Sequence, residues 1–228
     1  MKKTDIIIFG IGKIAQVVYA NIKDDKSSQL NVAAFCVDEK YCNEKEFCSL
    51  PVLPFETIEK NFPPDGYKML IAMGYHDMNN VRAEKCRQAE EKGYKLVSYV
   101  HSGADVSSTA NIGRNCIILD NVSVEPFAKI GDNVCLYCNS TIAHHSIVHE
   151  NVWVTSGTVV GGNSTIGKNC FLGINSTIGH NIAIGEYNFI GANALITKST
   201  KDNTVFVLPD TVPHRLDTFQ FMKLFKFD

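Results

Sequence analysis

The 228-residue sequence has no continuous apolar run approaching eighteen residues. A helix that crosses a bilayer needs at least that, so no membrane span is expected. It has no basic stripe either. Its 22 Lys and Arg stand against 24 Asp and Glu, for a net charge of −2. Nucleic acid is held through its phosphates by clustered Lys and Arg, so it is not an expected partner. A secretory leader is not expected either. The short apolar run Ile6-Ile7-Ile8-Phe9 meets Gly10 and Gly12 rather than a small-residue cleavage site, and it reads as a first strand. The eight cysteines then read as free thiols of a reducing compartment, and the expected location is cytoplasmic. Cys135 and Cys138 form a lone CxxC, two ligands short of the four a structural zinc takes.

What the sequence has instead is a period of six. From Val106 to Ile196 every sixth residue is Val, Ile or Leu, sixteen positions without a miss. Neither an α-helix nor a flat strand repeats at six. A three-sided coil does, with one hexad per side and about eighteen residues per turn. Two residues before each aliphatic from Val106 to Ile178 stands a small or β-branched residue, from Ala104 and Ala110 through Cys116 and Cys170 to Ser176. A tight corner beside a filled core requires that. The residue after the aliphatic is often Gly (Gly113, Gly131, Gly161, Gly167), which suggests corners with positive φ; Asn, also frequent, tolerates that region next best.

Residues 1–100 read as an α/β unit. Strands are expected at 5–9, 32–37, 69–73 and 95–100, with helices from Ile14 to Asn21 and over 79–92, the second stopping at Gly93. The fold class is therefore a small Rossmann-like parallel sheet followed by a parallel β-helix. The domains read as 1–100, 101–200 and a tail, 201–228, expected to cover the open end of the coil. Gly10-x-Gly12-x-x-Ala15 follows a strand and opens a helix, where a phosphate can approach the backbone. Asp38, at the end of the next strand, stands where a carboxylate reads a ribose or base.

Five of the seven histidines lie in or beside the coil. His144 and His145 follow the aliphatic Ile142 by two and three, so at least one points outward at a corner. An outward imidazole in a groove between coils is a candidate general base. A zinc enzyme is the competing reading, since His144 and His180 stand two turns apart. The place five after His180 is Gly185, where a third histidine would be needed, so no metal is expected.

The stretch Ile142-Ala143-His144-His145, then Val154-Thr155-Ser156-Gly157, Gly161-Gly162 and Ile166 to Ser176, resembles the hexapeptide-repeat acyltransferases of the sialic-acid O-acetyltransferase and bacillosamine-pathway N-acetyltransferase group. With the glycine turn and Asp38, the resemblance covers about residues 4–200. It implies a left-handed coil, a homotrimer, acetyl-CoA as acyl donor between neighbouring coils, and a nucleotide-linked amino sugar held by the first unit through Gly10, Gly12, Asp38 and Gly74. It maps the general base onto His144, the oxyanion donor onto the Gly162 N–H, and pantetheine contacts onto Ile174 and Ala192. His145 stands where the family usually carries a carboxylate. The segment from Gly74 to Arg82 is longer than the family's loop, and Val207-Leu208-Pro209-Asp210 departs from its Gly-Val-Pro turn. Acylation of a sugar hydroxyl, a longer acyl chain, and a non-catalytic trimeric scaffold that binds nucleotide sugar are the alternatives.

Overall fold

The computed structural model describes residues 3–225. Its first unit is a five-stranded sheet. The strands are β1 (Thr4–Phe9), β2 (Leu30–Val37), β3 (Glu46–Phe47), β4 (Leu50–Pro54) and β5 (Lys68–Ile71), in the order β3-β4-β2-β1-β5. All neighbours are parallel except the β3–β4 hairpin at the edge. Helices α1 (Lys13–Asp24) and α2 (Asn80–Glu91) bury Ala15, Val18 and Ile22, and Cys86 and Ala89, against it. The continuous apolar runs of β1 and β2 are what a sheet covered on both faces demands.

The expected fourth strand over 95–100 is corrected. Leu96 makes one isolated bridge to Met69, and Tyr99–Val100 (β6) leaves the sheet to pair with Ile117–Ile118. Ser98 fixes the departure: its hydroxyl donates to the Gly113 carbonyl and accepts from the Cys116 N–H. The segment is thus the first rung of the coil.

Sixteen two-residue strands follow, β7 (Asp105–Val106) to β22 (Leu195–Ile196), and each as far as β19 (Thr177–Ile178) pairs in parallel with the strand eighteen residues on. They form three faces. Face one carries Val106 through Ile196, face two Ile112 through Ile184, and face three Val100 through Ile190. The aliphatics fill the interior, with Ile142, Val148, Val154, Val160, Ile166 and Leu172 fully buried. The small corner residues do double duty. Ser146, Ser164 and Thr158 donate to carbonyls fifteen residues on, and Cys116 and Cys170 send their Sγ to the same kind of acceptor, at 3.2 and 3.1 Å.

The reason expected for the glycines is also corrected. Positive φ falls two residues later, mostly on Asn, as at Asn115, Asn133, Asn163 and Asn169. The glycines answer a steric demand instead. A Cβ on Gly113 would lie 2.6 Å from the Gly131 backbone on the next rung, and one on Gly167 2.6 Å from Gly185.

The tail differs from its expected role. Val205–Phe206 (β23) adds a last strand to face three, and Phe206 packs on the core. Residues 207–225 otherwise lie exposed apart from Leu216, including the short helix α3 (Thr218–Met222), so they do not cover the ends of faces one and two. The last three residues of the expected tail, and the first two of the first unit, lie outside the described residues.

Face three decides where the first unit sits. Its outward residues are Tyr99, Ile117, Cys135, Trp153, Phe171 and Phe189, and they join Ile6, Ile8, Phe35 and Leu70 in one apolar cluster. The buried Arg82 guanidinium lies 5.0 Å from the Trp153 ring and donates to the Asn133 carbonyl at 2.7 Å. Asp25 clasps the junction from the other side. It accepts from the Ser102 hydroxyl at 2.8 Å and the Ser102 N–H at 3.0 Å. Burial pushes its carboxyl up, but these bonds outweigh that and hold it below the ordinary value.

Candidate active site

Two separate places gather the candidate residues. The first is a cleft of about 650 Å³ at the C-terminal end of the sheet, lined by Gly10, Gly12, Asp38, Gly74, His76 and Lys85 among others. All four expected substrate-binding residues meet there. Gly10 has φ +120°, and a Cβ on it would stand 2.6 Å from the Ala72 carbonyl oxygen, so only glycine fits. Gly12 caps α1, and a Cβ there would meet nothing within 4 Å. The backbone at the helix start is therefore open to a ligand, with the helix dipole favouring an anion. Asp38 is paired with Lys85 Nζ at 2.5 Å, and both side chains are largely buried. Lys13, Lys40 and Tyr41 complete this wall. Sequence reading missed Lys85, because nothing in the spacing of α2 tells which side chain crosses to β2.

The second place is the edge between faces one and two. His144 and His145 are exposed there. His145 has φ 59°, occupying the left-handed corner position that Asn holds elsewhere, and its ring packs 4.8 Å from Phe127, one turn below. The two imidazoles face each other through Nδ1, 3.2 Å apart. Glu125 accepts the His144 backbone N–H at 2.8 Å, so a carboxylate is fixed beside the histidine from the rung below.

Gly162 lies one turn above. A Cβ there would stand 2.7 Å from His144 Nε2 and Cε1, so the imidazole rests where a side chain would be. The Gly162 N–H has no acceptor among the described residues. His180, one turn higher, has its ring 6.5 Å from that of His144. No group of three or more His, Cys, Asp or Glu among the described residues is placed to hold a metal. The CxxC cysteines are occupied otherwise. Burial pushes the Cys135 thiol up despite Arg82. Burial and a hydrogen bond to Asp120 push Cys138 up to about 11. Ile174 and Ala192, both exposed, stack one turn apart on the edge between faces three and one.

The family described as the GMPPB C-terminal domain matches residues 99–210, just short of half the chain. Solved structures match over nearly all of it. The acetyltransferase domain of PglB from Neisseria gonorrhoeae FA1090 superposes with a TM-score of 0.78 at 20% identity, over 89% of this chain and 96% of that one. The chain has the fold of this acetyltransferase domain, a left-handed parallel β-helix behind a small α/β unit. Perosamine N-acetyltransferase from Caulobacter crescentus, solved as a mutant in complex with CoA and GDP-perosamine, gives 0.79 at 20%, over 88% and 92%. WeeI from Acinetobacter baumannii AYE gives 0.76 at 20%, over 89% and 96%. The PglB domain is also solved with acetyl coenzyme A. No curated protein matches the sequence. No helix among the described residues is long and apolar enough to cross a membrane.

Proposed function

We propose that this chain is an acetyl-CoA-dependent N-acetyltransferase that acts on an amino-deoxy sugar linked to a nucleoside diphosphate. One arrangement carries the reading. An exposed imidazole lies against a residue without a side chain, whose N–H is unpaired. That is a general base beside an oxyanion donor. The fold neighbours solved with CoA and a nucleotide-linked amino sugar support the substrate class.

In the proposed step the sugar amine attacks the thioester carbonyl, forming the C–N bond. His144 Nε2 takes the amine proton, and the Gly162 N–H stabilises the tetrahedral oxyanion. The intermediate collapses, the C–S bond breaks, and His144 returns its proton to the departing CoA thiolate. His145 orients the base. When His144 Nδ1–H donates to His145 Nδ1, the proton-free nitrogen is Nε2. A neutral imidazole stabilises the imidazolium less than a carboxylate does, and Glu125 supplies the nearby negative charge.

A homotrimer belongs to the proposal for a geometric reason. The cleft is lined wholly by the first unit, which covers face three, whereas His144 stands on the opposite edge of the prism. A sugar held in one chain's cleft needs the imidazole of another copy. Acetyl-CoA would lie between the coils with its pantetheine arm along Ile174 and Ala192. Purified protein is expected to release CoA thiol from acetyl-CoA only when a UDP-, GDP- or dTDP-linked amino sugar is added. His144→Ala is expected to lower turnover at least about 10²-fold, the scale of a lost general base. Full activity in that variant would overturn the mechanism. A sugar acetylated on oxygen would move the reading to the hydroxyl acceptor.

A further inference from the structure

The loop between β5 and α2 is wound the wrong way, and the coil holds it there. Asp77, Met78 and Asn79 have φ of 49°, 46° and 67°. Three successive L-residues thus form a left-handed turn, which crowds each Cβ against its carbonyl oxygen. Such a segment persists only when its surroundings over-determine it. Just before it, Gly74 and His76 line the cleft, while Tyr75 turns away onto Phe171 and Trp153, with ring centroids 4.6 and 5.4 Å away.

The strongest constraint comes from one coil residue. Asn169 Nδ2 donates to the Met78 carbonyl at 2.8 Å and to Asn80 Oδ1 at 3.0 Å. Tyr187, one turn above, donates its hydroxyl to the same Asn80 oxygen at 3.2 Å. Arg82 donates to Asn79 Oδ1 at 3.3 Å. Asn79 is fully buried, and its Nδ2 has no partner. The turn therefore carries both backbone strain and a stranded amide, and the coil's polar contacts offset them together with the Tyr75 packing and the Asn80–Asp77 hydrogen bond. Asn169 is itself the top of a ladder of corner asparagines, accepting from Asn151 at 3.3 Å.

We infer that Asn169 is a positioning residue for the substrate cleft. From the coil it fixes the left-handed turn, and through the turn it sets where Gly74 and His76 meet the sugar nucleotide. The inference rests on the cleft being the nucleotide-sugar site.

Asn169→Asp tests it. The carboxylate keeps the acceptor for Asn151 but removes the donor to Met78 and Asn80. The expected result is a roughly 10-fold rise in KM for the nucleotide sugar, the scale of one or two lost hydrogen bonds. KM for acetyl-CoA should stay unchanged. Asn151→Ala, which cuts the ladder below, should leave both constants as they are. Adding Met78→Gly to Asn169→Asp should recover most of the loss, because glycine takes positive φ without the anchor. Equal KM values in wild type and Asn169→Asp would overturn the inference, as would matched changes for both substrates or no recovery with glycine. Wild-type protein that shows no saturable response to any nucleotide sugar would instead overturn the assignment of the cleft.

Discussion

Gly161 and Gly162 are neighbours in sequence, yet alanine at each should do opposite things. At Gly162 the added Cβ meets His144 Nε2 and Cε1 at 2.7 Å. Carbon contacts settle at about 3.5–4.0 Å, so the ring must retreat by roughly 1 Å. The ring ends an exposed side chain with two torsions, and moving it costs under about 1 kcal/mol. A displacement of that size at a reacting atom is worth about 10² in rate, or roughly 2.7 kcal/mol on the barrier. At Gly161 the Cβ meets the backbone of Gly179 and His180 at 2.8 Å. Backbone cannot swing aside, so the rungs must part, at about 1–3 kcal/mol or more. Gly162→Ala should therefore keep its melting temperature and lose turnover. Gly161→Ala should lose melting temperature by several degrees. Thiol release at saturating acetyl-CoA and a thermal melt of each variant make the comparison. Gly162→Ala with wild-type turnover, or with the same drop in melting temperature as Gly161→Ala, would refute the placement of His144 under Gly162.

Restoring a carboxylate beside the base, by His145→Glu, should stabilise the imidazolium. The acid limb of kcat/KM against pH then moves up by about one unit; an unmoved limb would mean that residue 145 does not face His144 Nδ1. Acid stability should report on Asp25. Its carboxyl lies below its ordinary value in the folded chain, so the clasp stabilises fully above that ordinary value, about 3.9, and is lost as pH falls through the lower folded value. Ser102→Ala should flatten the stability–pH curve below about pH 4, read by denaturant titration at pH 3 and pH 7.

The coil was legible because its rule is local and periodic. Every hexad must place an aliphatic inward, a small residue at the corner and an approachable backbone on the next rung, so the pattern survives in one dimension. The resemblance matched His144 with Gly162, and the period agrees with it, since eighteen residues is one turn. The outward column Ile117, Cys135, Trp153, Phe171 and Phe189 obeys that arithmetic too, and it was the unread sign of where the first unit docks. The departure of 95–100 from the sheet was not legible, because a short apolar run pairs equally well with β5 or with the first full rung. Packing settled it through Ser98.

The sequence by itself thus determined the prism, its filled interior, the glycine turn after β1 and the stacking of an imidazole beneath a glycine. These depend on spacing along the chain. Tertiary structure alone decided that Lys85 answers Asp38, that Glu125 stands by His144, that Asn169 holds a left-handed turn, and that cleft and imidazole lie on opposite sides of one chain. Lys85 reaches Asp38 across the first unit, and Asn169 reaches its turn across the seam between the units, 47 and 91 positions apart, and no one-dimensional pattern encodes such a packing angle.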